Sequence, residues 1–143
     1  MWAISAHAGG VAEIPPFVLE TWLTSFRKSP WAGVVPNDLY RPVYLNTIKQ
    51  LVDRGATVLC AVNPEKPDHI LGFLCFERTS DAVPVVHYVF VKPLYRKRGV
   101  ARSLFQAAGI DPSVRFFYTF KTPAARYFPG GRFEPAIARR QKA

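Results

Sequence analysis

Acidic residues are scarce in one half of this chain and ordinary in the other. Residues 82–143 hold twelve Lys or Arg against only Asp111 and Glu134, whereas residues 1–81 hold seven Lys or Arg against eight Asp or Glu. The formal net charge of +9 therefore belongs to the second half alone. So few carboxylates there argue against carboxylate-driven hydrolysis and against a site for a hard metal ion. Cysteine is almost missing as well. Cys60 and Cys75 lie in apolar stretches and form no CxxC pair. They read as reduced core residues of an intracellular, cytoplasmic protein, with no metal site. No apolar run exceeds the length of a strand, so no segment is expected to span a membrane. No basic-then-apolar leader stands at Met1, and there is no repeat, low-complexity tract, GxGxxG or Walker-type loop. What is present is 143 residues, 49% hydrophobic and 14% aromatic, enough for one domain with a sizeable core.

The most informative stretch is residues 83–105, VPVVHYVFVKPLYRKRGVARSLF. Its first part is β-branched and apolar, which predicts a buried strand. Pro93 stops it, a basic turn Arg96-Lys97-Arg98-Gly99 follows, and a helix opens at Gly99 or Val100. A strand passing through a basic, glycine-bearing turn into a helix N-terminus builds an anion site. The first helical turn leaves N–H groups unpaired at the positive end of the macrodipole. Gly99 allows close approach, Ala101 keeps the next turn clear, and the basic side chains add charge-assisted donors. A phosphate or pyrophosphate is the expected ligand.

The rest of the chain alternates element types. Residues 2–8 suit a short strand, and Pro15-Pro16 opens a helix with an apolar stripe Phe17, Val18, Trp22, Leu23, Phe26. Residues 29–37 form a loop carrying Trp31. A second helix starts near Asn37 or Asp38, buries Tyr44, Ile48, Leu51 and Val52, and stops at Gly55. Strands are expected at 56–62, 70–78, with Gly72 marking a close approach or bulge, and 115–120. A short helix over 122–128, a last short strand over 132–137 and a basic tail over 138–143 complete the chain, so the domain is placed at 1–137.

Val91, Pro93, Arg96, Gly99 and Ala101 stand in the register Val-x-Pro-x-x-Arg-x-x-Gly-x-Ala. This resembles motif A of the GNAT superfamily of acyl-CoA-dependent N-acyltransferases, and the element order resembles that fold over nearly the whole chain. The resemblance implies a single α+β domain whose mixed, mostly antiparallel sheet splays between its fourth and fifth strands. It implies acetyl-CoA as co-substrate, without a metal. Its contacts would be the backbone of Val89, Phe90 and Val91, and the turn and first helical turn, Arg96, Lys97, Arg98, Gly99, Val100, Ala101 and Ser103. The loop at 29–37 would border the acceptor pocket. The tyrosine that the family often places after the fifth strand falls on Phe128, leaving Tyr127, one position away, and Tyr118 as candidate acids. His87, set by strict alternation on the same side as Val89 and Val91, is the candidate base.

The implied function is acetyl transfer to a primary amine of a small molecule, peptide or protein. The shortage of acidic residues argues against polyamines and favours an acidic acceptor. Two alternatives stand beside it. One is a nucleic-acid-associated or DNA-modifying protein on the same fold, of a kind phages encode, using the basic half on phosphates. The other keeps the coenzyme A site without catalysis. Homodimerisation is left open.

Overall fold

The computed structural model describes residues 2–33, 35–122 and 127–139. Six strands form one sheet: β1 (Ala3–His7), β2 (Thr57–Asn63), β3 (Lys66–Arg78), β4 (Pro84–Val91), β5 (Phe116–Tyr118) and β6 (Gly131–Phe133). They lie in chain order, antiparallel from β1 through β4, with β5 parallel to β4 and β6 parallel to β5. Helices α1 (Pro16–Arg27) and α2 (Asn37–Asp53) pack on one face, and α3 (Val100–Ala108) packs on the other.

Each element follows from its residues. Pro15 and Pro16 preset the first turn of α1, and Val18, Trp22, Leu23 and Phe26 recur at helical spacing on its buried side. Helix α2 runs through Pro42 and buries Tyr40, Ile48, Leu51 and Val52, while Tyr44 is only half-buried. Trp22 stacks on Tyr88 of β4 at 5.1 Å, so α1 is fixed directly above the centre of the sheet. On the opposite face Leu104 and Phe105 of α3 meet Leu74, Val86 and Phe116. Both cysteines are free and buried, and burial pushes the Cys60 thiol up to about 12 and raises that of Cys75. No helix among the described residues is long and apolar enough to cross a membrane.

Three expectations need correction. Strand β3 starts at Lys66 instead of residue 70, because Asn63 accepts a hydrogen bond from the Glu65 amide and closes a tight hairpin to β2. Pro67 is tolerated there because pairing with β4 begins only at Gly72. The last strand is Gly131–Phe133, and Pro135 turns the chain into a 3-10 turn, Pro135–Arg139. That turn is docked and not frayed: Ala138 is buried, and Arg54 donates to the carbonyls of Ile137 and Ala138. The helix expected over 122–128 lies largely outside the described residues.

Gly72 is the tightest point between β3 and β4. A Cβ there would stand 2.6 Å from the Phe90 carbonyl oxygen and 3.2 Å from the Val91 Cα. Both are backbone atoms, so the strands themselves would have to part. Gly72→Ala is therefore expected to lower stability by about 1–3 kcal/mol, measured by urea unfolding. It should also loosen the β4 edge described next.

Candidate functional site

The site begins where β4 loses a neighbour. Strand β5 pairs with β4 only at Val85–Phe117 and Val86–Tyr118, closed by the Thr119 amide donating to the Val86 carbonyl at 3.2 Å. Beyond that point β4 has a partner on one side alone. The Lys92 amide donates to the Leu71 carbonyl at 2.8 Å, so Lys92 and Leu71 form a hydrogen-bonded pair. Hydrogen-bonded and non-bonded pairs alternate in an antiparallel ladder. Phe90 and Tyr88 therefore also turn their backbone groups toward β3, opposite Phe73 and Cys75. Val89 and Val91 turn theirs to the open edge. Of the three residues expected to present backbone there, Phe90 does not. The cleft opposite is lined by Val86, Val89, Tyr118, Phe120 and Phe128.

The open edge leads to the basic turn. Arg96 bends back and donates from Nε to the Val91 carbonyl at 2.8 Å, so that carbonyl is already taken. Lys97 and Gly99 both hold left-handed backbone, with φ of 64° and 88°. Left-handed backbone of this kind can form an anion-binding concave turn. Helix α3 then starts at Val100 with no side-chain cap, leaving the first-turn N–H groups of Val100 and Ala101 for a ligand, with Ser103 half-buried one turn on. No other atom lies within 4 Å of the point where a Gly99 Cβ would sit, so the cradle is open. Lys97 and Arg98 are exposed, and neither forms an ion pair among the described residues. The geometry fits a diphosphate.

His87 lies elsewhere than alternation predicts. A bulge sets Cys75 opposite Tyr88 and Phe76 opposite Val86, leaving His87 as the extra residue of β4. Val89 and Val91 pack with α3, but His87 is fully buried and bonded to Glu77, which also binds Arg54 at the end of α2. Its Nε2 is 2.5 Å from the Glu77 carboxylate and its Nδ1 is 2.7 Å from the Thr119 hydroxyl. A carboxylate only accepts, so Nε2 carries a proton and donates. Burial would raise the Glu77 carboxyl, but hydrogen bonds from His87 and Arg54 outweigh it and hold it below its ordinary value.

The tyrosine candidates separate cleanly. Tyr118 stands in the cleft wall, whereas Tyr127 is 66% exposed and is not part of that wall. Phe128 packs against Phe105 at 4.9 Å and lines the cleft without a hydroxyl. A second pocket of about 150 Å³ opens on the α1–α2 face. Trp31 and Tyr44 line it together with Phe120, Lys121, Phe133 and Arg139. Trp31 brings the loop at 29–37 to this pocket, and the loop is braced by Ser29 donating to the Phe26 carbonyl and Arg27 donating to Asn37. Phe120 lines both pockets, and so forms the partition between them.

The profile of the Acetyltransferase (GNAT) family matches residues 19–108, well over half of the sequence. The chain belongs to the GNAT acetyltransferase family. No curated protein sequence matches it significantly. Among solved structures, a presumed acetyl transferase from Pyrococcus furiosus is 16% identical, with 100% of this chain and 94% of that one covered and a TM-score of 0.59. A GNAT-family acetyltransferase from Staphylococcus aureus Mu50 is 18% identical over 73% of this chain and 62% of its own, with a TM-score of 0.48. The ribosomal-protein-alanine N-acetyltransferase of Brucella melitensis biovar Abortus 2308 is 15% identical over 97% and 86%, with a TM-score of 0.49. These likenesses are of fold. GNAT proteins use acetyl-CoA.

Sequence reasoning missed Glu77, Arg54, Thr119 and Lys121. Glu77 and Thr119 did carry a signal, as polar residues inside otherwise apolar strands, and buried polar groups need partners. Nothing in the sequence paired them with His87. Because the Glu77 carboxyl is held below 4.5, its contribution is complete above that pH and is lost as the pH falls through the lower folded value. Urea unfolding between pH 7 and pH 3 should therefore show stability falling on the acid side. Glu77→Gln should flatten that fall.

Proposed function

We propose that this GNAT protein transfers an acetyl group from acetyl-CoA to a primary amine. The observation that carries the reading is the free edge of β4 followed, through the basic turn, by the uncapped N-terminus of α3. Val89 and the Val91 amide would hold the pantetheine arm as a missing strand would. Arg96, Lys97 and Arg98 with the amides of Gly99, Val100 and Ala101, and Ser103 beside them, would hold the phosphates. When bound, acetyl-CoA supplies an activated acyl thioester.

The remaining work is proton handling and alignment. An attacking amine must first be neutral. Thr119 lines the second pocket and its hydroxyl bonds His87 Nδ1, so a proton released by the amine can pass through Thr119 to His87. Glu77, bound to Nε2, stabilises the imidazolium that results. Tyr118, in the wall of the cleft, would return a proton to the departing thiolate. Tyr127 is the weaker candidate because it faces solvent.

Calorimetric titration with acetyl-CoA, beside 3′-dephospho-CoA and ATP, tests the site. Saturable one-to-one binding of acetyl-CoA, lost in Gly99→Val, is expected, since that side chain enters the open cradle. The left-handed φ adds about 1–2 kcal/mol of strain, so a thermal melt of the variant serves as its control. Equal binding of all three compounds, falling steeply with salt, would instead favour the nucleic-acid reading. In a thiol-release assay Tyr118→Phe should slow turnover roughly 100-fold and more than Tyr127→Phe. Thr119→Val should move the alkaline-rising limb of the pH–rate profile upward. An unchanged profile would remove Thr119 and His87 from the reaction.

A further inference from the structure

The second pocket contains charge without a counter-charge. Lys121 Nζ lies 5.8 Å from the Trp31 ring centre and 5.5 Å from that of Phe133, bridging two aromatic faces at the wall. Arg139 enters the same wall from the docked C-terminal turn. Neither cation forms an ion pair among the described residues, and no described carboxylate lines the pocket. Glu134, between Phe133 and Pro135 in sequence, is not one of its walls. Two cations in the wall of a largely aromatic pocket create a positive potential that low-dielectric walls focus. Lys121 on ring faces has its charge only partly satisfied, because a ring quadrupole is a weaker partner than a carboxylate or phosphate.

The walls also fix shape. Trp31, Tyr44, Phe120 and Phe133 are aromatic and the volume is about 150 Å³, close to that of a cavity that takes one benzene ring. The pocket shares Phe120 with the cleft and Thr119 with the His87 hydrogen bond. A molecule inside it can thus keep one end at the cations and bring the other toward the cleft.

We propose that this pocket selects a small anionic amine as acceptor: one primary amine on a flat or short apolar body, with a carboxylate or phosphate at the far end. The anion engages Lys121 and Arg139, the body lies among Trp31, Tyr44 and Phe133, and the amine reaches Thr119 and the cleft. Polycationic amines are repelled by the same two residues. The proposal rests on the acetyl-transfer reading above, and its test separates the two.

The experiment uses the whole protein with a matched set of para-substituted benzylamines that differ only in the far group: carboxylate, phosphate, neutral carboxamide or a second aminomethyl. Binding is measured by calorimetry and transfer by thiol release from acetyl-CoA. The carboxylate or phosphate probe is expected to exceed the carboxamide roughly tenfold in affinity and in kcat/KM, the scale of one charge-assisted hydrogen bond, with the diamine last. Comparing the two anionic probes assigns the preferred group. Lys121→Gln and Arg139→Gln should each shrink the anionic-to-neutral ratio, and Lys121→Glu should reverse it, with acetyl-CoA affinity as the control for folding. Anion-selective binding without any transfer would overturn the acetyl-transfer reading and keep the pocket assignment. Transfer with no preference for the anionic probes, a preference for the diamine, or no binding of any probe would overturn the pocket assignment.

Discussion

A backbone strand edge left without a partner is the constraint around which this molecule is arranged. Peptide N–H and C=O groups removed from bulk water must be paired, yet β4 beyond Val86 turns Val89 and Val91 toward a cleft and not toward β5. Arg96 takes one of those groups, the Val91 carbonyl, and leaves the others open. A sheet that ended there for no reason would carry an exposed edge, with the pairing hazard that edges bring. Here the edge leads toward the start of α3, and a ligand with an amide-bearing arm and a diphosphate would meet both.

The parting of β4 and β5 is held by side chains and not by turns. The extra residue at His87 bends β4 at the point where β5 leaves it. His87 then ties Thr119, the first residue past β5, to Glu77 on β3. Glu77 in turn holds Arg54 at the end of α2, and Arg54 holds the C-terminal turn through two carbonyls. One buried imidazole thus connects two strands, the residue that follows β5, a helix end and the C-terminal turn. Arg54 and Glu77 are 9% and 13% exposed at their side chains, so their attraction is little screened by solvent, but it mainly offsets the cost of burying the charges. Geometry is what the network contributes, and geometry is what acyl transfer requires.

Part of the excess positive charge gathers at two places. One is the concave turn before α3, where Lys97 and Arg98 stand beside uncapped amides. The other is the pocket wall at Lys121 and Arg139 on the opposite face of the sheet. A phosphate-bearing co-substrate would account for the first. Lys121 and Arg139 lie outside residues 19–108, the part of the chain that matches the family profile.

Much was already fixed by the residues in order. The apolar run before Pro93, the proline itself and Gly99 force a strand, a stop and a left-handed start to α3, because these are local steric demands. The antiparallel middle of the sheet was legible only through the resemblance to the GNAT fold, whereas the α+β order followed from demands of this kind. Gly72 could be marked in advance for the same reason. The face on which His87 lies could not, since a bulge shifts alternation by one and depends on what the opposite strand offers. Nor could the choice between Tyr118 and Tyr127, which turns on where a cleft wall runs. The pocket at Trp31, Lys121 and Arg139 draws on residues about ninety positions apart in one case. Short-range sterics are written in the sequence; which distant polar groups meet is decided only when the sheet closes and each buried charge must find a partner.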